Sequence, residues 1–149
     1  LGKNDTDANW FQFLWGKRFR WSPPADTPVR TGGDLASAAY QGVLYVVYED
    51  DDGDLYFRTF DGKTWYGEQP VGQKGSDKLS LATCGNELFL LHETTDGTLS
   101  ALNHNLETGW SQSPQQIVSE AIGHFAMTAY DQDDNLMLAD QWRILKTLR

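Results

Sequence analysis

The feature that most constrains this chain is a self-match at an offset of 44 residues, Leu79 falling on Leu35. Leu35-Ala36-Ser37-Ala38-Ala39-Tyr40 through Leu44-Tyr45-Val46-Val47-Tyr48 aligns with Leu79-Ser80-Leu81-Ala82-Thr83-Cys84 through Leu88-Phe89-Leu90-Leu91-His92. The match continues downstream: Asp52-Gly53-Asp54-Leu55 meets Asp96-Gly97-Thr98-Leu99, and Trp65 meets Trp110 after one extra residue. A fixed period of this length belongs to repeat architectures, in which each unit buries its faces against its neighbours. Inside a unit the strand signals are short. A small-residue apolar run is followed by a turn at Gln41-Gly42, an alternating aromatic run, an Asp-Gly turn and then Leu55-Tyr56-Phe57-Arg58-Thr59-Phe60. A turn at Asp61-Gly62 precedes a last strand around Thr64-Trp65-Tyr66. Four short antiparallel strands in one period describe a propeller blade.

The ends of the chain fit the same frame. Trp10-Phe11-Gln12-Phe13-Leu14-Trp15 and Phe19-Arg20-Trp21-Ser22-Pro23 align with the second half of a unit, and Phe125–Tyr130 with Asn135–Ala139 match the first half. The expected organisation is therefore all-β, a single β-propeller repeat domain over 1–149. It comprises a half blade at about 10–31, blades at about 34–73 and 77–119, a half blade at about 123–139 and a tail over 140–149. The tail fits no unit and reads equally as a third strand of the last blade or as a short basic helix. Three blades are too few to close a ring, since propellers carry typically four to eight. Two arrangements fit: a homodimer exchanging half blades into six blades, which would also remove two open sheet edges, or a piece of a longer propeller.

Charge narrows the partners. With 21 acidic and 12 basic side chains the formal net charge is −9, so the summed field repels phosphate backbones and anionic lipid heads. No apolar stretch approaches the roughly 18–20 residues of a membrane-spanning helix, so neither nucleic acid nor membrane insertion is expected. The single cysteine, Cys84, lies in an apolar run and reads as a small core residue. A chain without an intrachain disulfide fits either side of the cell membrane; secretion is the expected localisation, with the cytosol as the alternative. The chain opens on Leu1 and not on Met, which suits an upstream leader, tag or larger parent.

The segments Gly42-Val43-Leu44-Tyr45-Val46-Val47-Tyr48, Asp52-Gly53-Asp54-Leu55-Tyr56 and Phe60-Asp61-Gly62-Lys63-Thr64-Trp65-Tyr66-Gly67 resemble blades of the fungal and bacterial fucose-binding propeller lectins. The resemblance spans roughly residues 10–139 and rests on repeat rhythm and turns. It implies a sugar clamp built from an Arg in the second strand and a Glu in the third. Val46 and Phe57 stand at those places in one unit and Leu90 and Ala101 in the next, so the polar clamp is missing and no fucose specificity is expected. The aromatic partner persists as Trp65 and Trp110. The stretch Thr59–Trp65 is also similar to the Asp-box turn of sialidases, with its Gly one residue early; that turn is structural and implies no catalysis.

Sugars are held by stacking their C–H faces on aromatic rings while carboxylates, amides and guanidinium groups collect the hydroxyls. The clusters that supply both are Trp65-Tyr66 with Glu68 and Gln69, Trp110 with Gln112, and Trp21 with Arg20. For each Trp the structural alternative is that it caps the core between blades. The acidic run Glu49-Asp50-Asp51-Asp52-Gly53-Asp54 raises the possibility of calcium. It lacks EF-hand spacing, because Tyr48 stands four residues before Asp52, and it reads as a solvated turn, as do Asp131, Asp133 and Asp134. His92, His104 and His124 lack zinc-ligand spacing and read as structural or surface residues. No nucleophile-elbow, phosphate-loop or His-Glu-x-x-His pattern is present. The inner-strand segments Ala36–Tyr40 and Ser80–Cys84 carry no acids for glycoside cleavage.

These features point to a multivalent, non-catalytic, lectin-like carbohydrate-binding module with glycans or glycoproteins as partners, working as a homodimer without metal or organic cofactor. The alternatives are a structural or protein-interaction propeller segment of a larger secreted protein or toxin and, third, a glycosidase-type propeller.

Overall fold

The structure, a computed structural model, describes residues 26–76, 78–119, 123–129, 136–140 and 144–146. Every regular element among them is a strand, and the strands form three antiparallel sheets in chain order. The first sheet holds β1 (Leu35–Tyr40), β2 (Val43–Glu49), β3 (Asp54–Phe60) and β4 (Gln69–Lys74). The second holds β5 (Leu79–Cys84), β6 (Glu87–Glu93) and β7 (Leu99–Asn105), with β8 (Gly109–Trp110) and β9 (Gln115–Val118) both pairing with β7. The third holds β10 (Phe125–Ala129), β11 (Leu136–Asp140) and β12 (Ile144–Lys146). The first strands of the three sheets, β1, β5 and β10, lie side by side, so the sheets stack face to face in series.

Local chemistry explains the meander. Tyr40 pairs with Val43 across a two-residue turn in which Gln41 (φ 51°) and Gly42 (φ 77°) are both left-handed, the type I′ geometry that matches strand twist. The register recurs 44 residues on: Leu35 faces Tyr48 and Leu79 faces His92, while Tyr40 faces Val43 and Cys84 faces Glu87. The acidic run is spent on its own turn. Asp50 Oδ1 accepts the amides of Asp52 (2.9 Å) and Asp54 (2.8 Å), as Asp96 Oδ1 accepts that of Thr98 (3.0 Å).

The fourth strand differs from the sequence expectation. Thr64–Tyr66 is not a strand: Trp65 makes one isolated bridge to Phe60, Tyr66 N–H donates to Thr59 O at 2.8 Å, and regular pairing resumes only at Gln69. The cause is Asp61, whose Oδ1 accepts the amides of Lys63 (2.9 Å) and Thr64 (2.8 Å) and folds the segment into a tight turn that the strand must leave before it can pair. The second sheet repeats this with Asn105 accepting from Glu107 and Thr108, and its fourth strand splits into β8 and β9. In the tail, Ile144–Lys146 is strand β12, paired with Met137–Ala139 of β11, which decides between the two forms that the sequence allowed.

Alternation along the strands gives the second sheet two apolar faces. Tyr40, Tyr45, Val47, Leu55, Phe57 and Val71 of the first sheet meet Leu79, Leu81, Leu88, Leu90, Leu102 and Trp110 of the second. The opposite face of the second sheet, with Ala82, Cys84, Leu91 and Leu99, packs on Phe125 and Met127 of β10. Cys84 is buried there, as its apolar setting in the sequence suggests. Polar links tie the junctions: Leu79 N–H donates to Asp34 Oδ2 (3.1 Å) and Met127 N–H to Ser80 Oγ (2.9 Å). No helix among the described residues is long and apolar enough to cross a membrane.

Candidate functional site

The two tryptophans at equivalent places have different surroundings. Trp110 is 6% exposed, its ring centroid 6.0 Å from Phe57 and 5.0 Å from His104, and its Nε1 makes no hydrogen bond. It belongs to the core between the first and second sheets, so of its two possible roles the core-capping one describes it. Gln112 does not extend a polar rim around that ring; its amide donates to Trp110 O at 3.0 Å. Trp65 lies on the other face of the first sheet, part-exposed, with its ring 5.0 Å from Phe60.

That outer face carries a cleft of about 290 Å³ lined by Thr27, Val29, Thr31, Leu35, Ser37, Leu44, Val46 and Trp65. Its floor follows from register: Ser37, Val46 and Arg58 stand opposite one another on β1, β2 and β3, and Leu44 stands opposite Phe60. Its wall is the segment before β1, tied down where Thr31 Oγ1 (2.8 Å) and Gly32 N–H (3.0 Å) both donate to Glu49 O. Gly32 is required there, because a Cβ would lie 2.9 Å from the backbone of Asp51.

Polar groups gather beside the cleft on the same face. Tyr48 Oη donates to Glu68 and accepts from Arg58 Nε at 3.2 Å, and the Arg58 guanidinium lies 3.7 Å from the Glu68 carboxylate. Burial, then the bond to Glu68, pushes the Tyr48 hydroxyl up to about 12. Tyr66 is 49% exposed, and its hydroxyl donates to Asp61 Oδ2 at 2.8 Å. The amides of Thr64 and Lys63, with that hydroxyl, hold the Asp61 carboxyl below the usual carboxylate range; the bond in turn raises Tyr66. An exposed aromatic ring pinned at its hydroxyl has less rotamer freedom to lose when a ligand stacks on it.

Of the residues singled out from the sequence, Trp65 and Glu68 come to one face, with Gln69 opening β4, while Tyr66 stands opposite Thr59 and is tied to Asp61. Trp110 and Gln112 belong to a different junction, and Trp21 and Arg20 lie outside the described residues. Tyr48, Arg58, Asp61, Ser37 and the apolar lining were not anticipated. The signal for them was period-two alternation, since positions 44, 46 and 48 of β2 and 56, 58 and 60 of β3 pair across one face. Val46 and Phe57, the places of the implied clamp, lie on opposite faces: Val46 pairs with Arg58 and lines the cleft, whereas Phe57 packs on His104 and Trp110. Among the described residues no group of three or more His, Cys, Asp or Glu is placed to hold a metal ion.

No family model and no curated protein matches the chain. Among solved structures it is similar to a point mutant of the Aleuria aurantia lectin in complex with Fucα1-6GlcNAc (TM-score 0.56, 13% identity) over 74% of this chain and 39% of that one. It is similar also to a triple Arg-to-Ala mutant of AofleA from Arthrobotrys oligospora (TM-score 0.52, 12% identity) over 79% and 41%. The chain therefore spans about two fifths of the length of the structures it matches. At this identity the likeness establishes the fold alone: the three sheets are blades of an all-β propeller of the kind found in these structures.

Proposed function

We propose that the protein is a non-catalytic, lectin-like module that binds glycans at the cleft beside Trp65. The observation that carries this is the combination on one sheet face of a part-exposed Trp65, a guanidinium–carboxylate pair at Arg58 and Glu68, and the hydroxyls of Ser37, Thr27 and Thr31. The Trp65 ring suits the C–H face of a pyranose, and Arg58 with Glu68 suits its hydroxyls. The Aleuria aurantia lectin, with its fucosyl ligand, supports a glycan as the ligand class; Val46 and Phe57 stand where that family's clamp would be, so no preference for fucose is assigned. Because Trp110 is core, the second sheet does not repeat the Trp65 site, and multivalency is proposed to come from copies of the chain. Two copies closing a six-bladed ring is the assembly proposed, with secretion as the setting in which it meets glycoproteins. In that assembly β12 already takes the third-strand place on β11 over Met137–Ala139, so an exchanged half blade would add beyond it or displace it.

A glycan array with wild type and Trp65→Ala, alongside the solution mass by light scattering, tests both parts. Binding that disappears in Trp65→Ala, at a mass of two chains, supports them. Absence of glycan binding by wild type removes the lectin function, and a monomer removes the ring. A second function, as a protein-interaction segment, is favoured by one observation: the cleft is mostly apolar, and Leu35 at its edge is 49% exposed.

A further inference from the structure

The junction between the first and second sheets buries two imidazoles that the proposed glycan site does not use. His104 on β7 is 6% exposed and sits in an aromatic cage, with ring centroids 5.9 Å from Tyr40, 5.4 Å from Tyr45, 6.1 Å from Phe57 and 5.0 Å from Trp110. Its Nδ1 makes no hydrogen bond. The titratable groups that face it are the phenols of Tyr40 from β1 and Tyr45 from β2; β3 and β8 offer Phe57 and Trp110, and β5 and β6 place Thr83 and Leu88 at the same register. No carboxylate is among these neighbours to receive a charged ring.

His92 on β6 lies further along the same face of the second sheet, between Leu79 and Ser100, and is fully buried. Neither of its nitrogens makes a hydrogen bond. The backbone of Glu93 and of Lys74 lies near and acts against burial without closing a bond. The charged side chains at this end are already engaged. Asp34 accepts Leu79 N–H, Lys74 pairs with Asp54 and Lys78 with Glu93, and Glu49 is buried at the end of β2.

We propose that the junction between the first and second sheets is an acid-labile seam, in which protonation of His104 and His92 drives the two sheets apart while the junction between the second and third sheets holds. Protonated, His104 would carry its charge among aromatic rings with no partner at Nδ1, and His92 would carry its own in full burial with only the nearby backbone of Glu93 and Lys74 to offset it, a costly state that separation of the sheets relieves. Burial holds both histidines below the ordinary imidazole value. The sign follows by linkage. An unfolded or opened state takes up protons below about 6.5 and the closed seam does not, so the seam's stability is complete above that pH and falls as the pH drops through it. The carboxylates held low, Asp61 and Asp96, act only below their ordinary value of 3.8, outside this window.

The test is urea unfolding of the full chain at pH 7.5, 6.5 and 5.5, with amide hydrogen exchange corrected for intrinsic rates. By pH 5.5 the opening equilibrium constant rises up to about tenfold per histidine. Exchange should quicken in β2, β3, β6 and β7 before β10. In a double variant, His104→Phe, which installs the residue that Phe60 supplies at the matching place, with His92→Leu, most of this pH dependence should vanish. An unchanged slope in that variant, a flat wild-type profile, or exchange that quickens equally in β10 overturns the proposal. Should the double variant fail to fold, NMR titration of the wild-type imidazoles decides: His104 and His92 titrating at or above the ordinary value overturns it, and below it sustains it.

Discussion

The first and second sheets share a register and a turn chemistry, yet their equivalent faces do opposite things. On the outer face of the first sheet stand Val46, Tyr48, Arg58 and Glu68. The same places in the second sheet, 44 residues on for the strands and 45 after the longer turn, hold Leu90, His92, Leu102 and Ser113. The first set keeps hydroxyls, a guanidinium and a carboxylate beside an open cleft. The second set contributes Leu90 and Leu102 to a sealed junction with Trp110. The backbone is indifferent to this choice, because an antiparallel blade needs only alternation and turns; what makes the second sheet's face core is that the first sheet presents rings to fill it. Phe57 is such a ring, and it occupies the space against Trp110.

This contrast can be broken by substitution, and the largest effect should come from its buried half. Trp110→Ala removes a ring from the main core and should destabilise the fold by ~3–5 kcal/mol in urea unfolding, without weakening glycan binding by protein that remains folded. The matched change on the open face, Trp65→Ala, should cost at most about 1 kcal/mol of stability but reduce glycan affinity tenfold or more, a loss of about 1.4 kcal/mol measured by calorimetry. Equal stability losses in the two variants would erase the distinction.

Smaller effects sharpen it. Tyr48→Phe removes the hydroxyl that joins Glu68 to Arg58 and should cost ~0.5–1.5 kcal/mol. Because the folded Tyr48 is raised to about 12, its contribution is present below the ordinary value of 10.0 and fades as the pH rises through that interval. Alkaline unfolding of wild type should show that decline, and the Phe variant should lack it. The smallest change is expected for Asp61→Ala, which frees the 61–64 turn and unpins Tyr66. The Asp61 contribution exists above pH 3.8 and is lost as the pH falls through its lowered folded value, so the variant should differ from wild type at neutral pH and converge with it in acid.

The sequence made the blade legible because the blade depends on local chemistry. Gln41-Gly42, Asp61-Gly62 and the alternating runs each act within a few residues, and the 44-residue offset placed the alternating runs twice. The last strand was misplaced since its start is fixed by amides that Asp61 captures, an event the residue types permit without requiring. The site was half legible. Trp65 and Glu68 are close in the chain, but Arg58 and Tyr48 join them only through cross-strand register, and Trp110 stands at the same place of its repeat as Trp65. Trp110 is buried because the first sheet presents Phe57 to it, and that is a property of a pair of blades.

The serial stacking of sheets has a consequence for synthesis. Each strand pairs within its own blade, so the first sheet can form as soon as residue 74 has cleared the ribosome, before its partner exists. At roughly 5–20 residues per second, the 44 residues of the next unit arrive over roughly 2–9 s. For that interval Tyr45, Val47 and Phe57 form an uncovered apolar wall. The nascent chain is at its stickiest between the completion of one blade and the arrival of the next, and each later blade both shields the previous one and exposes a fresh face of its own.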